Sequence, residues 1–159
     1  MNKIVVCDID GTISKVGDRI KYLEQSPKDW DAFYDACGED EPNQIVLEMI
    51  ASLTCCDENS PFDYDVVFCS GRRESCRGAT ITWISLNSKA LLECCDILLR
   101  ADGDSRSDTI VKKELLDNYL SENGYTKDDV AFILEDRTSV VKMWRDAGYT
   151  CLQVAEGNF

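Results

Sequence analysis

An apolar run that ends in acid opens the chain: Ile4-Val5-Val6-Cys7 passes straight into Asp8-Ile9-Asp10-Gly11-Thr12. Ile and Val favour strands, and an unbroken apolar run suits a strand buried on both faces of a parallel sheet. The run stops at Asp8, and Gly11 lets the backbone turn just beyond it. In open parallel sheets, ligands bind outside the carboxyl ends of the strands, which is where Asp8 is expected. Residues i and i+2 of an extended backbone share a side, so Asp8 and Asp10 can address one site. Two carboxylates held together repel, and they settle by protonating one or by sharing a cation. The chemistry this suggests is attack by Asp8 on a phosphoryl group, with Asp10 protonating the leaving group. Two solvated acids capping a strand are the plain alternative. The full Asp-x-Asp-Gly-Thr after an N-terminal apolar strand favours the catalytic reading.

The rest of the chain repeats strand and helix. Expected strands are Tyr64–Cys69, Ile97–Leu99, Val130–Leu134 and Cys151–Val154; helices are expected over about 74–87, 109–120 and 138–147. That order predicts an α/β fold with a central parallel sheet. The stretch 14–63 is long for a crossover and is expected to form a small helical cap beside the site, within one domain spanning 1–159. In it, Ser26 and Pro27 suit a helix start, with Trp30, Phe33, Tyr34 and Cys37 on one face. That face reads as packing, although Trp30 or Tyr34 could stack a base if exposed. Glu39-Asp40-Glu41-Pro42 reads as the start of a second helix, with Val46, Met49, Ile50 and Leu53 inward, and Asp57–Pro61 as a turn.

Composition narrows the function. The 159 residues carry a formal charge of −13, which argues against extended binding to a nucleic-acid backbone but allows a few local cations to grip one terminal phosphate. With no histidine, catalysis by a His of this chain and His-ligated zinc are excluded. The nine cysteines include the neighbours Cys55-Cys56 and Cys94-Cys95 but no Cys-x-x-Cys. With no signal peptide or membrane-spanning run read ahead of them, they are expected to be reduced, mostly buried thiols of a cytoplasmic protein. No Gly-x-x-x-x-Gly-Lys-Ser/Thr loop occurs, so ATP is not expected as a phosphate donor.

Three further strand ends carry polar groups. Ser70-Gly71-Arg72 could hold a phosphoryl group through the Ser70 hydroxyl, the following backbone N–H groups and the Arg72 fork. Lys112 follows Asp108 by four residues on a helix that Asp108 can cap; the two could be an ordinary surface pair, or Lys112 could stabilise charge on Asp8 while Asp108 orients a cation. Glu135-Asp136 ends an apolar strand as Asp8 does, and makes a plausible Mg²⁺ site, one acid binding directly and the other through water.

Together these strand ends resemble the motif set of the haloacid dehalogenase (HAD) phosphatase superfamily, in its order. Arg19, Ser70-Gly71-Arg72, Gly103-Asp104 leading to Asp108-x-x-x-Lys112, and Asp136-Arg137-Thr138-x-Val140-Val141-x-Met143-Trp144-Arg145 through Gln153-Val154-Ala155-x-Gly157-x-Phe159 resemble the 3′-phosphatase domain of bacteriophage polynucleotide kinase–phosphatase. The resemblance implies a HAD-like Rossmannoid three-layer fold and Mg²⁺-dependent hydrolysis of terminal phosphomonoesters through an aspartyl-phosphate. Mn²⁺ is a possible substitute ion. It implies Asp8 as nucleophile, Asp10 as general acid–base, and Ser70 and Lys112 as phosphoryl holders. Asp8, the Asp10 carbonyl and Asp136 would hold the metal, and Arg19, Gly71, Arg72 and Asp108 would serve the substrate. Where the family example carries Asp-Asp, this chain has Glu135-Asp136, so Asp136 is favoured as the direct ligand. The expected partners are 3′-phosphorylated nucleic-acid ends or nucleotides, with no membrane. A small-molecule nucleotidase on the same scaffold is the alternative. A phospho-acceptor signalling domain fits less well, because a turnover enzyme needs the acid at Asp10 and an acceptor does not.

Overall fold

A computed structural model describes residues 3–54, 64–92 and 95–157. Its elements in chain order are β1 (Lys3–Cys7), β2 (Ser14–Lys15), α1 (Lys21–Glu24), α2 (Trp30–Asp35), β3 (Glu41–Pro42), α3 (Gln44–Leu53), β4 (Tyr64–Arg73), α4 (Arg77–Asn87), α5 (Lys89–Leu92), β5 (Cys95–Arg100), α6 (Asp108–Glu122), β6 (Val130–Arg137), α7 (Thr138–Asp146) and β7 (Cys151–Gly157). The Asp57–Pro61 turn, Cys55, Cys56, Cys94 and Phe159 lie outside the described residues.

Five strands form one parallel sheet in the order β5-β4-β1-β6-β7, with β1 at its centre. The alternation along β1 divides the core. Ile4 and Val6 face a cluster containing Leu116 and Leu120 of α6 and Val140, Val141 and Trp144 of α7. Val5, Cys7 and Ile9 face a second cluster with Val46, Leu47 and Ile50 of α3 and Trp83 and Ile84 of α4. Helices therefore cover both faces, as the unbroken apolar run demands, and the fold is the expected three-layer α/β arrangement.

The long insert divides into two parts. Val16, Leu23 and Phe33 gather a small core of their own, alongside the antiparallel ribbon of β2 and β3. α3 instead joins the main core through Val46, Leu47 and Ile50. The helix boundaries in the insert differ from those expected. Glu41-Pro42 starts no helix: it pairs with Ser14-Lys15, and the helix begins only at Gln44. Met49 is exposed, because the buried face of α3 runs through Val46, Leu47 and Ile50 and position 49 lies on the far side from Leu47. Asp29, not Ser26, caps α2, its carboxylate accepting from the Ala32 N–H at 2.9 Å. The thiols of Cys7, Cys37, Cys69, Cys76 and Cys151 are buried. Among the described residues, no helix is long and apolar enough to cross a membrane.

Candidate active site

The ends of β1, β4, β5 and β6 open into one cavity of about 430 Å³, whose walls include Asp8, Asp10, Ser70, Gly71, Arg100, Asp108, Lys112, Glu135 and Asp136. Two irregularities in the sheet lie here. The β4–β5 register shifts between Ser70 and Arg73, and the β6–β7 register shifts between Glu135 and Arg137. Broken register frees the backbone to re-aim its side chains.

Asp8 follows β1 directly, and its N–H donates to the Leu134 carbonyl at 2.9 Å, fixing the acid beside β6. One carboxylate oxygen accepts from Lys112 Nζ at 2.6 Å, and the other faces the Thr12 hydroxyl at 3.4 Å. Lys112 also donates to Glu135 at 2.7 Å. Burial and the neighbouring Glu135 raise the Asp8 carboxyl to about 7, against the pull of Lys112. Burial disfavours charge on Lys112, yet Asp8 and then Glu135 outweigh it and hold the ammonium charged.

Asp136 closes the cluster. Carboxylate oxygens of Asp8, Glu135 and Asp136 lie within 4.8 Å of one another, all buried. Burial, then Asp8, raises Asp136 to about 6. Two glycines make room for it. A Cβ at Gly11 would stand 2.2 Å from its Oδ2 and one at Gly157 2.0 Å, and Gly11 also turns at φ +88°. Three buried carboxylates facing one ammonium leave negative charge in need of a cation. An all-oxygen donor set suits a hard ion such as Mg²⁺.

Asp10 has a different environment, although it lines the same cavity. Its Oδ1 accepts from Arg19 at 2.6 Å and from Arg72 at 2.9 and 2.6 Å. Burial pushes this carboxyl up, but Arg72 and then Arg19 outweigh it and hold it at about 2. Both arginines also reach Asp40, Arg19 at 2.7 and 2.6 Å and Arg72 at 3.2 Å. Arg72 is fully buried, and neither arginine is among the cavity walls. Their guanidinium groups thus sit behind Asp10, where an Arg72 grip on phosphate had been expected.

Asp108 is the first residue of α6 and not its cap, which is Ser107. Its carboxylate instead pairs with Arg100 and, at 2.5 Å, with Arg137. Gly71 allows that approach, since a Cβ there would lie 2.8 Å from Asp108 Oδ1. Arg100 and Arg137 received no role from sequence. Arg100 ends an apolar strand, the signal that singled out Asp8, and could have been found by it. Asp40 gave no such signal, because its acidic neighbours made it look like a helix start.

The comparisons with known proteins follow this geometry. The family described as the polynucleotide kinase PNKP phosphatase domain matches residues 2–159. The chain belongs to this HAD-type PNKP phosphatase family. A putative bifunctional polynucleotide kinase/RNA ligase of Autographa californica nuclear polyhedrosis virus is 28% identical over 144 residues, 91% of this chain but 18% of its own length. A chain in the structure of the Pnkp1/Rnl/Hen1 RNA repair complex superposes with a TM-score of 0.74 at 30% identity, over 99% of this chain and 44% of that one. This PNKP-type chain thus spans less than half the length of those two relatives. L-2-haloacid dehalogenase from Xanthobacter autotrophicus shares the fold, with a TM-score of 0.65 at 12% identity over 99% of this chain and 79% of that one.

Proposed function

We propose that this HAD-type phosphatase domain removes 3′-phosphates from nucleic-acid ends through a phosphoryl-aspartate on Asp8. One observation carries the reading: Asp8 is held 2.6 Å from Lys112 in a cavity it shares with Ser70, Asp10, Glu135 and Asp136. Lys112 keeps Asp8 partly ionised despite burial, as a carboxylate nucleophile requires. An Asp8 oxygen attacks phosphorus, the bond to the leaving 3′-oxygen breaks, and that oxygen takes a proton from Asp10. Water then attacks the phosphoryl-aspartate and gives a proton to Asp10, releasing phosphate and restoring Asp8. A phosphate dianion beside Asp10 raises the pKa that Arg19 and Arg72 depress, which lets Asp10 carry the proton in the first step. Ser70 and Lys112 hold the phosphoryl oxygens. Asp8 and Asp136 would hold Mg²⁺ together with the Asp10 carbonyl, with Glu135 alongside on Lys112. The ion, when bound, neutralises charge on the transferring phosphoryl group.

The names of the PNKP-type relatives support the nucleic-acid end as substrate. The test is phosphate release, with Mg²⁺ and with EDTA, from 3′- and 5′-phosphorylated oligonucleotides, mononucleotides and an aryl phosphate. Preference for the 3′-phosphorylated oligonucleotide and loss in EDTA are expected. Mononucleotides turned over as well or better would overturn it in favour of the nucleotidase reading, and full activity in EDTA would remove the metal.

A further inference from the structure

One part of the cavity is not used by the phosphoryl chemistry. Trp30 and Tyr34, one helical turn apart on α2, stack with ring centroids 6.1 Å apart and planes inclined by 26°. Their neighbour Phe33 is buried in the small core of the insert, but Trp30 stays 40% exposed. The Tyr34 hydroxyl donates to the Gly71 carbonyl at 3.2 Å, which ties the pair to the strand end that carries Ser70. Both rings line the active-site cavity. Trp30 and Arg73 also wall a second, more open cavity of about 510 Å³, so they form the ridge between the two. The Arg73 guanidinium lies 4.9 Å from the Tyr34 ring centre, and Lys28 Nζ lies 5.6 Å from that of Trp30.

An aromatic surface next to a phosphoryl site, flanked by Lys28 and by Arg73, which pairs with the exposed Asp31 and would exchange it for a phosphate, and continuing into a second cavity, matches a short single strand. Bases stack on aromatic rings with little regard to sequence, and cations track the backbone between them. We propose that the Trp30–Tyr34 stack seats the nucleobases at a single-stranded 3′ end, with Lys28 and Arg73 meeting the phosphate that joins its last two nucleotides. This rests on the 3′-phosphatase reading and deepens it, because it makes the bases, beyond the terminal phosphate, part of what is recognised.

The experiment compares a 3′-phosphorylated trinucleotide, in DNA and RNA form, with the same strand lacking bases at its last two positions. In the native chain kcat/KM should favour the base-bearing strand by roughly 10-fold or more, the scale of one base–aromatic stack. Trp30→Ala should bring that ratio close to one, while Trp30→Tyr restores most of it, which a merely structural role for Trp30 would not do. A second readout avoids turnover. Trp83 and Trp144 are buried, so quenching of tryptophan emission in Asp8→Asn protein should report on Trp30 and appear with the base-bearing strand alone. An unchanged ratio in Trp30→Ala, or equal quenching by both strands, would overturn the base seat. Hydrolysis of the aryl phosphate with neither strand touched would instead overturn the 3′-phosphatase reading itself.

Discussion

Asp8 and Asp136 differ from Asp10 because of what each one faces. Arg72 and Arg19 hold Asp10 low, whereas Asp8 and Asp136 are buried beside other carboxylates and rise to about 7 and about 6. A carboxyl whose folded pKa lies above its ordinary 3.8 stabilises the fold fully below pH ~4, and that contribution is lost as pH rises through the folded value. Metal-free protein should therefore lose stability between about pH 4 and pH 7. Mg²⁺ should recover it, raising Tm more at pH 8 than at pH 5 in a thermal melt; an equal or larger shift at pH 5 would contradict the carboxylate metal site. Asp8→Asn should lower phosphate release by at least ~10³-fold on every substrate with the circular dichroism spectrum retained, and near-native turnover would remove Asp8 as the nucleophile. Because Glu135 spends an oxygen on Lys112 at 2.7 Å, Asp136→Ala should cost more kcat than Glu135→Gln, whose loss should be ~10–100-fold. Equal or reversed losses would assign the direct metal ligand to Glu135. The placement of these acids was legible because each follows an apolar run that stops. The placement of Arg72 was not, since nothing local distinguishes an arginine aimed at a ligand from one buried behind Asp10 on Asp40.

At the scale of elements, sequence located the strands of the sheet well and the insert poorly. β1 and β6 are apolar runs whose ends are chemically abrupt, and their burial on both faces leaves little else for them to be. In the insert, short elements around Val16, Leu23 and Phe33 depend on contacts distant in sequence. Thus the Trp83 indole N–H donates to the Asp40 carbonyl at 2.7 Å, and the backbone is extended over Asp40–Pro42, where its acids and proline suggested a helix start. β4 likewise runs on to Arg73, beyond the Ser70-Gly71 turn that was expected to end it. Gly71 is needed there for space and not for an unusual backbone angle. In Gly71→Ala, the new methyl group must displace an Asp108 carboxylate pinned by Arg100 and Arg137. A misplacement of about 1 Å at such a site costs on the order of 10²-fold. The variant should lose ~10–100-fold in kcat/KM with a Tm within a few degrees of the parent. Full activity would show that Asp108 moves freely and positions nothing.

Over the whole molecule, charge sets how much of a strand the site can hold. With a formal charge of −13, the surface as a whole repels a polyanion, and attraction is confined to cations around the cavity. Lys112, the proposed holder of the terminal phosphoryl group, is shared with Asp8 and Glu135, Arg100 and Arg137 pair with Asp108, and Arg106 pairs with Asp104 and Glu114. Lys28 and Arg73 remain beside the aromatic ridge, Arg73 against the exposed Asp31. That arrangement can meet about one to three phosphates of a strand and no long tract. Each contacted phosphate on a single strand contributes a slope of about −0.7 to the logarithm of affinity against the logarithm of salt. A plot of log(kcat/KM) against log salt for a 3′-phosphorylated oligonucleotide should therefore be no steeper than about −2. Lengthening the strand past about three nucleotides should add little. A slope near −5, or large gains with length, would mean that cations elsewhere on this acidic surface line a groove the cavity walls do not contain.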